Sequence, residues 1–177
     1  MQKQTTIEMQ RLTAEEYKAA EKMPLTVVLD DVRSLHNVGS VFRSADSFRA
    51  ERLCLCGITA CPPSAEMHKT ALGAEDSVPW EKYDNALECV DALHKDGYKV
   101  FAVEQCHGSI MLQDLQLPTD GKYAVILGNE VRGVHQEVID LCDGCIEIPQ
   151  LGTKHSLNVS VTAGIIIWEF ARRLWYR

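Results

Sequence analysis

Apolar residues fall into two alternating kinds of run along this chain: short unbroken blocks, and longer stripes with members three and four positions apart. The blocks at residues 25–29 (LTVVL), 53–56, 98–103 (YKVFAV), 123–127 (YAVIL) and 145–148 have the length and continuity of strands covered on both faces. The stripes predict helices. One spans residues 37–47, with Asn37 as N-cap and Val38, Val41, Phe42 and Ala45 on its apolar face. Another covers residues 65–72, carries His68 and Lys69, and is ended by Gly73. A third covers residues 85–96, where Asn85 and Glu88 stand at capping-box spacing, and a fourth runs over about residues 136–142. Nearer the N-terminus, Thr13 and Glu16 form a capping box for a helix reaching about residue 22, closed by Pro24. The last helix, from about residue 158 to 174, places Leu157, Val161, Gly164, Ile165, Trp168 and Trp175 on one stripe. Arg172, Arg173 and Arg177 suit its electronegative C-terminal end.

Strands alternating with helices predict an α/β fold: a mostly parallel sheet with helices on both faces. Residues 1–24 read as an N-terminal extension with one helix, and residues 25–177 as a single domain. In such sheets ligands sit beyond the carboxyl ends of the strands. Polar segments 30–43, 128–133 and 149–160 fall there, so a site should be built from them.

Composition narrows the function classes. A net charge of −7 argues against coating nucleic acid by bulk electrostatics, so a polyanion partner needs a local basic patch. Arg33, Arg132, Lys154 and His155 are the candidates for it. No run approaches the roughly 18 apolar residues of a membrane span, and the first residues lack an apolar signal core, so no membrane and a cytoplasmic location are expected. The seven cysteines are an odd number scattered along the chain. Cys142 and Cys145 make a lone C-x-x-C with no second pair to complete a zinc site, and packing is the expected role; no metal is expected.

The chemistry on offer is specific in what it lacks. There is no Walker loop and no G-x-G-x-x-G, and the candidate residues in the three segments do not look like a hydrolase triad or a glycosidase pair. Asn37, Arg43, Asn129, Glu130, Ser156 and Asn158 remain, a set suited to holding hydroxyls and phosphates. The polar residues at the start of the last helix suggest an anion site, since backbone N–H groups there lack intrahelical partners.

Residues 37–46 (NVGSVFRSAD) resemble the first motif of the SpoU/TrmH-type RNA ribose methyltransferases of the SPOUT superfamily. Residues 126–130 (ILGNE) with Gly133 resemble the second, and Ile148-Pro149 followed by residues 156–160 (SLNVS) resemble the third. All three stand in family order. The resemblance implies a C-terminal trefoil knot, a homodimer, S-adenosylmethionine (SAM) as methyl donor, and a 2′-O-methylated ribose in tRNA or rRNA as product, with no DNA partner. Carried over position by position, it implies a cofactor pocket of Leu127, Gly128, Ile148, Pro149 and Leu157, bordered by Glu104. Gly128 would let the backbone approach the ligand.

The same resemblance makes Arg43 the catalytic arginine, grouped with Asn37, Glu130, Ser156 and Asn158. A guanidinium stays protonated to a pKa above about 12, so Arg43 either is reorganised into a base or only positions ribose and phosphate. Positioning alone is a large lever, worth as much as roughly 7–11 kcal/mol. Glu130 is equally readable as a brace that accepts backbone N–H groups, and Ser156 and Asn158 as helix caps. Methylation of an RNA base, or an RNA-binding dimer without catalysis, are the alternatives to ribose methylation. With little chain ahead of the methyltransferase motifs, RNA recognition is expected from the dimer surface, the N-terminal helix or a partner.

Overall fold

The computed structural model describes residues 1–5 and 8–176; Arg177 lies outside the described residues. Helix α1 (Ala14–Ala19) has the expected capping box between Thr13 and Glu16, but it stops short of residue 22. The chain turns extended at Ala20, and Lys22 Nζ donates to the carbonyls of Tyr17 and Ala20. Pro24 therefore does not close the helix. It is the second residue of strand β1 (Met23–Asp30).

The chain continues through α2 (Leu35–Ser47), β2 (Ala50–Cys56), α3 (Ala65–Ala71), α4 (Ala74–Ser77), β3 (Trp80–Tyr83), α5 (Ala86–Lys95) and β4 (Tyr98–Val103). Then come β5 (Ile110–Met111), a 3-10 turn (Leu112–Asp114), β6 (Lys122–Leu127), α6 (Gln136–Ile139), β7 (Gly144–Glu147) and α7 (Val159–Leu174). The strands form one sheet in the order β3-β2-β1-β6-β4-β7-β5, and every pairing is parallel. Strands β3 and β5, absent from the sequence reading, are the two edges. They are short and largely exposed, so no apolar block marks them.

Both faces of the sheet are covered, which is why the central strands read as unbroken apolar blocks. Leu25, Val27 and Leu29 of β1 join the core under α2, α3, α4 and α7, together with Tyr17 of α1. Val28, Ala124 and Ile126 face the second core, under α5 and α6.

Two helix readings change. The N-cap of α2 is Ser34, whose hydroxyl accepts from the Asn37 N–H, so Asn37 sits in the first turn with its side chain freed for other work. In α7 the buried stripe is Val159, Ala163, Ile166, Ile167, Phe170 and Ala171. Val161 and Trp168, expected on the packed stripe, are 50% and 46% exposed. This helix is apolar on more than one face, so period alone leaves its orientation open; packing against α2 and β1 selects the inner face.

Connections from β1 and β6 leave in opposite directions along the sheet, β1 to β2 through α2 and β6 to β7 through α6. The crevice between the carboxyl ends of β1 and β6 is thus a topological switch point. The loops after β1, β4, β6 and β7 all gather there.

Candidate active site

The three polar segments meet in one hydrogen-bonded chain. Glu130, just after β6, accepts from the Arg33 and Ser34 N–H groups, each at 3.0 Å, and from Asn37 Nδ2 at 3.0 Å. Asn37 Oδ1 in turn accepts from Asn158 Nδ2 at 3.2 Å. Asn158 is the N-cap of α7: its Oδ1 accepts from Ser160 N at 2.9 Å and Val161 N at 3.4 Å. Segments more than ninety residues apart are joined through three side chains.

This network decides what its members can do. Burial pushes the Glu130 carboxyl up, but the bonds from Arg33, Asn37 and Ser34 outweigh it and hold the group below its ordinary range. A carboxylate so engaged is a poor proton acceptor and a good brace. Asn158 likewise uses its oxygen on the first N–H groups of α7, so that helix start is capped from within and is not an open anion site. Asn129 braces the loop that follows it, donating to the Asp31 carbonyl and accepting from the Val131 and Arg132 N–H groups.

Beside the network lies a cavity of about 1030 Å³. Leu127, Ile148 and Leu157 give it apolar walls, and Glu104, Gly128, Glu130, Ser156 and Asn158 also line it. Pro149, Asn37 and Arg43 do not. The fold supplies its own reason for glycine at 128: a Cβ there would lie 2.1 Å from the Gly133 carbonyl carbon and 2.2 Å from Val134 N. The returning loop, which pairs Asn129 with Gly133, leaves no room for a side chain. Gly133 itself has φ +67°, and a Cβ there would meet the Glu104 carboxylate. Glu104 Oε2 accepts from Val134 N at 3.3 Å, tying β4 to this loop.

Arg43 occupies an exposed stretch of α2, in a separate groove of about 380 Å³ with Ser40, Ser44, Ser47, Lys69 and Thr70. Ser40, Arg43, Ser44 and Ser47 recur at helical spacing on one face, so the guanidinium rises from a strip of hydroxyls. His68, grouped with Lys69 in the sequence, instead contacts the Glu75 carboxylate at 2.6 Å. Arg33, Arg132, Lys154 and His155 are all exposed on the loops at the carboxyl ends of the strands.

Two features were not legible in sequence. Gln105 Nε2 donates to the His155 carbonyl at 2.6 Å, closing the loop after β7 over the cavity. Asp30, Asp31 and His135 bring potential ligand atoms within 4.8 Å of one another. Asp31 Oδ1 already accepts from Ile58 N, and Asp30 Oδ2 lies 3.3 Å from His135 Nδ1. Burial pushes the Asp30 carboxyl up against the opposing pull of His135. The Asp30–His135 pair clasps β1 to the loop before α6.

The sequence profile of the SpoU rRNA Methylase family matches residues 24–168. Over 157 residues the chain is 30% identical to the 23S rRNA (guanosine-2′-O-)-methyltransferase RlmB of Xanthomonas campestris pv. campestris, covering 88% of this chain and 61% of that protein. The chain thus spans less than two thirds of such relatives' length. Its fold matches the TrmH/SpoU tRNA modifying enzyme of A. aeolicus with a TM-score of 0.77 at 27% identity, over 90% of this chain and 79% of that one. It matches an AdoMet-bound rRNA methyltransferase from Sinorhizobium meliloti with a TM-score of 0.77 at 28% identity, over 89% and 59% of the two chains.

Proposed function

The chain belongs to the SpoU rRNA methylase family, and from that premise we propose that it transfers a methyl group from SAM to a ribose 2′-hydroxyl of tRNA or rRNA. The observation that carries this reading is the Glu130–Asn37–Asn158 network, which draws three distant motifs to one edge of a roomy, part-apolar cavity. Relatives named for both rRNA and tRNA support an RNA substrate, and a 2′-hydroxyl target excludes DNA.

The cavity suits SAM. Its volume matches the upper end of ordinary small-molecule sites, roughly 300–1,000 Å³, and its walls combine aliphatic side chains with backbone polar groups. Leu127, Ile148 and Leu157 would sandwich the adenine, with Gly128, Pro149 and Glu104 at the border. When bound, the cofactor supplies an electrophilic methyl on a sulfonium. The reading needs no metal, because the group that leaves is a neutral thioether.

The protein's share is orientation. Glu130 holds Asn37 and the start of α2, Asn37 holds Asn158, and Ser156 lines the cavity one residue before Leu157. Arg43 would grip the ribose or its phosphate from the hydroxyl strip of α2. Its protonated fork suits that task better than proton removal.

We place residues 25–177 in the methyltransferase domain, with a C-terminal trefoil knot, and residues 1–24 in an N-terminal extension whose Tyr17 is anchored in the core. The exposed apolar face of α7, with Val161 and with Trp168 against Phe48 and Tyr176, supports a homodimer. We place the protein in the cytoplasm with its substrate.

The decisive experiment incubates the protein with methyl-labelled SAM and total RNA, then digests the RNA to nucleosides. Label is expected in a 2′-O-methylated nucleoside. Label in a methylated base refutes ribose transfer, and absence of SAM binding by calorimetry refutes the enzyme.

A further inference from the structure

Two thiols at the cavity's edge have no part in methyl transfer. Cys106 lies in the loop after β4 and lines the cavity. Cys145 stands on the neighbouring strand β7, opposite Ala102. Cys145 Sγ lies 3.1 Å from Cys106 Sγ and 3.1 Å from the Glu104 carbonyl oxygen. That sulfur–sulfur approach is inside the ~3.5–4.0 Å at which nonbonded heavy atoms ordinarily rest. About 1 Å of closure would reach the ~2.05 Å of a disulfide.

The other thiols are placed differently. Cys54, Cys56 and Cys89 are wholly buried in the second core, out of reach of an oxidant. Cys142, the neighbour of Cys145 in the C-x-x-C, directs its thiol at the Val138 carbonyl at 3.2 Å. Cys61 is half-buried against the first core, away from this pair; Cys106 is likewise half-buried, and Cys145, 9% exposed, stands behind it.

We propose that Cys106 and Cys145 are a reversible oxidation site, converted to a disulfide by a hydroperoxide, and that this disulfide weakens cofactor binding; the second half rests on the SAM reading. The Cys106 thiolate attacks the peroxide and breaks its O–O bond, leaving a sulfenic acid and releasing water or an alcohol. The Cys145 sulfur then attacks Cys106 Sγ and gives up its proton, and the sulfenic hydroxyl leaves as water. Two thiols lose two electrons and two protons, and one peroxide is reduced. Cys106 is nearer solvent and meets the oxidant first, so it takes the attacking role; Cys145 is buried behind it, its thiol pushed up by burial and the Cys106 contact, and takes the resolving one.

The coupling follows from what the loop holds. A disulfide removes the proton that Cys145 presents to the Glu104 carbonyl and draws the loop after β4 onto β7. That loop carries Glu104, bonded to Val134, and Gln105, bonded to His155. Two walls of the cavity therefore move with it.

The test treats reduced full-length protein with hydrogen peroxide, alkylates it and maps peptides without reduction. A Cys106–Cys145 cross-link is expected, with loss of two hydrogens, reversal by dithiothreitol, absence from C106S and from C145S, and persistence in C142S. Calorimetry should show SAM binding weakened at least about fivefold in the oxidised protein, the low end of ordinary site-to-site coupling, and restored on reduction. A Cys142–Cys145 cross-link, or irreversible oxidation with no cross-link, overturns the proposal. A cross-link that leaves SAM affinity unchanged overturns the coupling. If reduced protein binds no SAM, the functional reading fails, and the peptide map still judges the thiol pair.

Discussion

Replacing Glu130 with glutamine tests whether this carboxylate is the brace of the site. Its two oxygens receive three donors, Arg33 N on one and Ser34 N with Asn37 Nδ2 on the other. A glutamine oxygen could keep Ser34 and Asn37, but its amide nitrogen would then face the Arg33 N–H, donor against donor. One charge-assisted bond is lost and two become neutral. Charge-assisted bonds net about 1.5–3 kcal/mol and neutral ones about 0.5–1.5 kcal/mol, and solvent replaces part of the loss at this exposed residue, so the cost is about 2 kcal/mol. For a chain of this size that lowers Tm by roughly 4–8 °C, readable by calorimetry or circular dichroism.

The pH dependence has a fixed sign. The folded carboxyl lies below its reference value of 4.5, so its contribution is complete above that pH and disappears as pH falls through the lower folded value. The gap between wild type and E130Q should therefore be full at neutral pH and close in acid. A Tm change under about 1 °C at neutral pH, or a gap that persists in acid, refutes the brace.

R43A should abolish methyl transfer while SAM affinity by calorimetry stays near wild type, because Arg43 does not line the cavity; equal loss of both would make Arg43 structural. N158A should lose the α7 cap and destabilise by about 1 kcal/mol, whereas N158D keeps the cap but loses the amide donor to Asn37. Activity in N158D should accordingly fall further than its stability; parallel losses would reduce Asn158 to a cap. V161D with W168E places charge on the exposed face of α7, and sedimentation should give dimers for wild type and monomers for the double variant; a monomeric wild type refutes the proposed dimer. G128A forces a Cβ into the Gly133–Val134 backbone, at about 1–3 kcal/mol by overpacking and with weakened SAM binding; an unchanged Tm would deny that contact.

The sequence alone determined the α/β class, the parallel sheet and the three segments of the site. Unbroken apolar blocks such as residues 123–127 require cover on both faces, and only crossover helices supply it. The motifs named Asn37, Glu130 and Asn158, but neither pattern nor spacing showed that each holds the next. Those bonds span more than ninety residues, and local propensity carries no information across such a distance. Asn37 is the sharpest case: a plausible N-cap in sequence, it is released from capping only because Ser34 begins the helix. Tertiary packing also chose the inner face of α7, since a helix apolar on more than one side does not specify its own orientation. It alone set Cys106 beside Cys145, in the loop after β4 next to the neighbouring strand β7. Periodicity reports what one element must bury; only the packed chain decides which groups meet where elements end.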